Sequence, residues 1–228
     1  DGGFQDALDA LPPGGGVVVL PKGEFLLRRF LEVRSHTTLT GQGPETVLKV
    51  PDAVAFDVAA WTSEGDTHIV TLKGPHDFRK GDSFSYDNSW GHPINAKGPG
   101  GKSSGHMLGG GGVPENRLRV LDVQGDTLRV NSPPPEKNRG KRLVRFFPII
   151  CSYESEFAEV KDLTLVGPAN NPARAGGGFQ TNPVTFGATS NPRFTRLVVR
   201  EWPGDGLSAQ GCDDGRFLDS TFSGTARG

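Results

Sequence analysis

Three short apolar runs in the C-terminal third fall into register, and that register restricts the chain to very few architectures. Pro148-Ile-Ile-Cys151, Pro183-Val-Thr-Phe186 and Gly206-Leu-Ser-Ala209 superpose. Ten residues after Ile150, Val184 and Leu207 stand Val160, Phe194 and Phe217. Five residues further on come Leu165, Val199 and Phe222. The later pair of runs is offset by 23 residues and the earlier pair by 34, with the excess falling on the loop-like stretch Pro172 to Gly178. Three apolar files at a coil-length period are what stacked rungs of a solenoid require, because each inward side chain must sit above its equivalent.

The beginning of the chain supplies the other half of the pattern. Phe4, Ala7, Leu8 and Leu11 keep helical spacing until Pro12-Pro13 stops them. Gly14-Gly-Gly16 then leads into Val17-Val-Val-Leu20, a continuous apolar run of the kind found in buried parallel strands. Strand-turn runs follow at 24–27, 31–33, 37–43 and 46–50. Gly 33 and Pro 18 among 228 residues hold the hydrophobic fraction to 34%, and their spacing reads as turns in an all-β protein. The helix, "PPGGGVVVLPKG" and "TTLTGQG" together resemble the opening of the pectate-lyase-like superfamily of right-handed parallel β-helix proteins. The resemblance implies that the helix caps the open end of the solenoid, whose terminal rung would otherwise expose unpaired backbone. It also implies a secreted or periplasmic enzyme that cleaves an acidic polysaccharide, by β-elimination in preference to hydrolysis. The alternatives are a glycoside hydrolase on the same scaffold and a non-catalytic β-helix used in surface adhesion or assembly.

The texture changes over 52–145. Arg117 to Val123 and Thr127 to Val130 read as a hairpin around Gln124-Gly-Asp126. Phe78-Arg-Lys-Gly-Asp82, with the later "VQGDTLRV", resembles the small antiparallel β insertion of some superfamily members. Eight glycines at 98–112 read as a loop. The expected organisation is a capping helix with first rungs at 1–51, an antiparallel β insertion at 52–145, and further rungs at 146–228. The last segment stops mid-repeat, so further rungs or another chain are expected to cover its end.

Charge excludes some partners. Lys+Arg 25 against Asp+Glu 26 leaves a net charge of −1, which gives no bulk attraction to nucleic acid or an anionic membrane. No apolar run approaches the roughly 20 residues of a membrane span. Cys151 and Cys212 permit one disulfide or two free thiols, and no zinc pattern.

Candidate site residues come from the rung alignment. One outward column reads Glu159, Arg193, Arg216 and another Asp162, Arg196, Asp219. These form either a groove wall for an anionic sugar or a ladder of exposed ion pairs. Lyase chemistry on a uronate needs a cation at the carboxylate and a base for the adjacent proton. In the superfamily the base is Lys or Arg, so Arg196 and Arg216 are the candidates, with Arg193 binding substrate. The resemblance adds Asp205, in "WPGDGL", as a catalytic candidate. His106, beside the glycine-rich loop, completes the set, since with His92 it can reach a neighbouring groove. None of the five histidines has a metal-specific spacing. Tyr86, Trp90 and Trp202 are candidate stacking platforms for sugar rings. Glu156, Asp213 and Asp214 on neighbouring turns could take a hard cation such as Ca²⁺.

Overall fold

The computed structural model describes residues 3–86, 118–133, 142–168, 182–202 and 205–223, with the backbone alone at 93–97 and 103–107. The loop-like stretch 172–178, Trp90, His92 and most glycines of 98–112 lie outside the described residues. Helix α1 (Phe4–Asp9) is followed by β1 (Gly16–Val19) and β2 (Gly23–Leu26), then β3 (Leu31–Glu32), β4 (Thr37–Thr40) and β5 (Thr46–Lys49). The middle of the chain forms β6 (Ala55–Glu64), β7 (Thr67–Leu72), β8 (Ser85–Tyr86), β9 (Pro93–Lys97), β10 (Ser103–Met107), β11 (Val120–Gln124), β12 (Thr127–Val130) and β13 (Arg142–Val144). The last part carries β14 (Ile150–Tyr153), β15 (Glu159–Val166), β16 (Val184–Gly187), β17 (Arg193–Arg200), β18 (Ser208–Gln210), β19 (Arg216–Leu218) and β20 (Thr221–Ser223). Among the described residues no helix is long and apolar enough to cross a membrane.

The protein is all-β, and its first and last parts build curled parallel sheets consistent with a β-helix. Each pass of the chain makes a coil. The strands β3, β14, β16 and β18 stack on one side, in parallel. The series β1, β4, β15, β17, β19 stacks on the next side. Across a corner, β2 and β5 continue onto the far halves of β15 and β17 and then β20. The three apolar files are therefore real and longer than the repeat alone revealed. Leu31 sits beneath Ile150 and Val184, Leu39 beneath Val160, Phe194 and Phe217, and Leu48 beneath Leu165, Val199 and Phe222. In the lower coils these side chains are excluded from water and form one core. One expectation fails: Val17 and Val19 are 61% and 57% exposed, while Val18 and Leu20 are buried. A coil strand has an inner and an outer face, so the run is half-buried even though every residue in it is apolar.

Corners are fixed by left-handed residues. Gly15, His36, Phe157, Asn191 and Asp214 occupy equivalent positions in five coils, all with φ between 50° and 80°. Backbone bonds run up this corner: the N–H groups of His36, Phe157 and Asn191 donate to the carbonyls of Glu156, Ser190 and Asp213. A left-handed L-residue costs about 1 kcal/mol, which this repeated pairing offsets.

The helix closes the lower end, in the place a strand beneath β3 would take. Phe4 and Leu8 join the core. The Gln5 side-chain oxygen accepts the N–H of Glu32 at 2.7 Å, satisfying a donor on the edge of β3. Arg34 Nη2 donates to the carbonyl of Leu8 at 2.6 Å, at the helix C-terminus.

Between β5 and β14 the chain makes an antiparallel excursion with strand order β11-β12-β7-β6-β13-β8. An antiparallel bridge from Ser83 to Arg119 brings the two edges together around a separate core that includes Val70, Phe84, Leu128 and Leu143. β9 and β10 pair with each other, so part of the glycine-rich stretch is strand where a loop was expected. The excursion is bolted to the coils by ions. Arg28 spans Asp82 (Nε–Oδ1 2.9 Å) and Asp77, and Arg145 Nη1 meets both oxygens of Asp77 at 2.5 and 2.6 Å.

Candidate functional site

The outward face of the β4–β15–β17–β19 series carries one file of polar and charged side chains: Thr38, Glu159, Arg193 and Arg216. The charges along it are not matched one to one. Glu159 Oε2 accepts from Thr38 Oγ1 at 3.1 Å and from Lys161 Nζ at 3.2 Å, so this carboxylate is engaged from below and beside. Arg193 and Arg216 are exposed, and neither has a carboxylate partner among the described residues. Adjacent coils lie about 4.8 Å apart, so two uncompensated guanidinium stems rise from directly stacked positions. Guanidinium pairs of this kind suit a carboxylate or sulfate, which each fork can bind through two N–H groups.

The corner file Asp162, Arg196, Asp219 behaves differently. All three backbones are left-handed, and the Arg196 fork is bidentate to Asp162, with Nε–Oδ1 at 2.5 Å and Nη2–Oδ2 at 2.8 Å. The hydrogen bond to Asp162, then its charge, holds Arg196 above the ordinary arginine range. The same bond, working against burial, holds Asp162 below the usual carboxylate range. A base for proton abstraction needs the opposite shift. Arg196 is thus a rung of an ion-pair ladder, its fork already occupied by Asp162.

The turn residues assemble only in part. Glu156, Ser190 and Asp213 lie in one file, joined by parallel bridges, with Asp214 beside them at the left-handed corner. Two coil steps, about 9.6 Å, separate the backbones of Glu156 and Asp213. Glu156 Oε1 is also taken by His36 Nε2 at 3.1 Å. Among the described residues no group of three or more His, Cys, Asp or Glu stands close enough to hold a metal ion. Ca²⁺ takes six to eight oxygens, and these residues do not fit it.

Two expected sugar platforms are core side chains. Tyr86 is fully buried, with its hydroxyl donating to the Ser132 carbonyl. Trp202 is fully buried and stacked on Phe146, with ring centroids 5.5 Å apart. Trp90 lies outside the described residues. Among the described residues the exposed aromatics are instead Phe217, Phe222 and Phe157, the last 45% exposed and stacked at 5.5 Å on His36. The signal for Phe157 was a bulky residue at a turn beside Glu156, a position where φ of 52° is unusual for an aromatic. Asp205 is exposed just before β18. His106 lies in β10, whose backbone runs beside β18, on the neighbouring side of the coils from Arg193 and Arg216. Cys151 and Cys212 are not joined in a disulfide, and burial raises the Cys212 thiol above its usual range.

No protein-family model and no curated protein matches the chain. Among solved structures it is similar to the tailspike of the Pseudomonas phage phi297, at 13% identity and a TM-score of 0.27, over 97% of this chain and 41% of that one. It is also similar to the tailspike of Acinetobacter baumannii bacteriophage AP22, described in complex with capsular saccharide, at 11% identity and TM-score 0.25, over 91% and 41%. A glycoside hydrolase matches at 10% identity and TM-score 0.32, over 85% and 60%. The chain therefore spans 41% of the length of either tailspike. Likenesses of this strength assign no chemistry to this chain.

Proposed function

We propose that this chain is part of a right-handed parallel β-helix of a secreted or periplasmic carbohydrate-active protein, and that the outward face of its coils binds an acidic polysaccharide. The supporting observation is the stacked pair Arg193 and Arg216, two exposed guanidiniums in one file with no carboxylate partner among the described residues. A polymer with a negative charge on successive sugars matches a surface with a positive charge on successive coils. Neutralising a uronate carboxylate also acidifies the adjacent C–H, so β-elimination is the cleavage chemistry such a pair favours. Binding without cleavage is the second reading. The observation favouring it is that Arg196, one of the two base candidates, has its fork occupied by Asp162.

Incubation with pectate, alginate and glycosaminoglycans, followed at the absorbance of unsaturated uronates with and without calcium, separates the readings. Rising absorbance marks a lyase, new reducing ends without absorbance mark a hydrolase, and retention without either marks a binding protein. Binding should weaken steeply with salt and fall at least tenfold in R193A/R216A. Equal retention of acidic and neutral polymers would remove the proposal.

A further inference from the structure

A second cationic feature lies where the first coils meet the antiparallel excursion. Leu26, Arg28, Arg29, Arg79, Lys80 and Asp82 line a cleft of about 300 Å³, at the lower end of the range usual for ligand sites. Its charges do not cancel. Asp82 is 4% exposed and gives both oxygens to Arg28, at 2.9 Å from Nε and 2.5 Å from Nη2. Arg28 also reaches Asp77, and Arg29 pairs with Asp6 at 2.8 Å. Arg79 and Lys80 have no carboxylate partner among the described residues, so two positive charges face the cleft uncompensated.

The turn that presents them is rigidly held. Asp82 Oδ2 accepts the N–H of Arg79 at 2.9 Å, the Arg79 carbonyl accepts the N–H of Asp82 at 3.1 Å, and Gly81 has φ of 92°. The carboxylate that locks Arg28 therefore also sets the turn from which Arg79 and Lys80 project. The held turn fixes where both side chains begin, so only their own rotamers are left to order when an anion arrives. Leu26, 56% exposed on the outside of the first coil, supplies an apolar surface within the same cleft. Oxyanion-binding cations beside one apolar contact match a charged pyranose, whose ring offers a C–H face and whose substituent offers the anion. The volume admits a short saccharide rather than a polymer.

We infer that this cleft is a second saccharide subsite, taking a sugar unit that carries a carboxylate or a sulfate ester, with Arg79 and Lys80 as its anion-binding residues. The inference rests on the acidic-polysaccharide reading but uses residues remote from Arg193 and Arg216. The test titrates the full chain with a uronate disaccharide, a sulfated disaccharide and a neutral disaccharide, followed by calorimetry. The two anionic arms distinguish carboxylate from sulfate. Binding of at least one anionic disaccharide should weaken at least tenfold in R79A/K80A at an unchanged melting temperature. It should stay within twofold of the parent in R193A/R216A. The inference is overturned if R79A/K80A binds like the parent, if the neutral disaccharide binds equally, or if no anionic disaccharide binds. Should those results coincide with retention of the long polymer through Arg193 and Arg216, the cleft falls and the coil-face proposal stands.

Discussion

Replacing Gly41 by alanine tests whether the coils stack as tightly as their register implies. Gly41 lies at the corner after β4, directly beneath Asp162 in the next coil. A Cβ there would collide with the Asp162 carbonyl oxygen, and would stand 2.8 Å from Thr46 Cβ and 2.9 Å from Leu163 Cβ. The carbonyl cannot simply turn away, because it accepts the N–H of Gly43 at 3.0 Å, while Gly41 itself donates to Lys161 at 3.0 Å. Overpacking of this kind costs about 1–3 kcal/mol, and loss of one inter-coil hydrogen bond adds about 1 kcal/mol. The expected cost of Gly41→Ala is therefore about 2–4 kcal/mol, or roughly 6–12 °C in melting temperature for a chain of this size. Gly14→Ala is the control, since no atom lies within 4 Å of its Cβ position. It should be neutral or stabilise by about 0.5 kcal/mol through the unfolded state. Urea unfolding of the three proteins decides the matter. If Gly41→Ala lies within about 0.5 kcal/mol of Gly14→Ala, the close approach of successive coils is wrong.

Other expectations follow from the same packing. Phe194, fully buried and 4.8 Å from Phe186 and 4.9 Å from Phe217 by ring centroids, should cost about 3–5 kcal/mol on replacement by alanine; a loss below about 1 kcal/mol in chemical denaturation would contradict its place in the central file. Asp82→Ala strands the partly buried Arg28 and frees the 79–82 turn, and should cost roughly 2–3 kcal/mol, visible as a lower thermal midpoint. Burial opposes ionisation of Asp77, but hydrogen bonds and charge from Arg145 and Arg28 prevail and hold its carboxyl below the usual range. A lowered folded pKa means its stabilisation is present at neutral pH and is lost as pH falls through and below the ordinary aspartate range. The stability gap between the parent and Asp77→Asn should therefore narrow between pH 7 and pH 3 in urea titrations, and a constant gap would refute the pairing.

Much of the coil architecture was legible because it repeats. Ile150, Val184 and Leu207 declared their file through spacing alone, and the pairing confirms it in parallel register. Leu31 belongs beneath Ile150, yet 119 residues separate them in sequence, so no local period could join them. The left-handed corner was invisible for another reason. His36, Phe157, Asn191 and Asp214 share a backbone shape imposed by the coils above and below, not by their side chains. Tyr86 and Trp202 were misplaced because the ring that stacks on a sugar also fills a core, and only burial tells the two apart. The cationic cleft escaped notice since Arg28-Arg29 and Arg79-Lys80 meet only through the fold.

The foot of the antiparallel excursion has a consequence of its own. The N–H of Arg145 donates to the carbonyl of Val54 at 2.9 Å, so the outgoing and returning strands are tied where they leave the coils. Above that knot β15 lies directly against β4 and β5, as though nothing intervened. The excursion is thus a closed insertion: its two ends leave the stack at a single point, and the coils on either side of that point pair with each other without it.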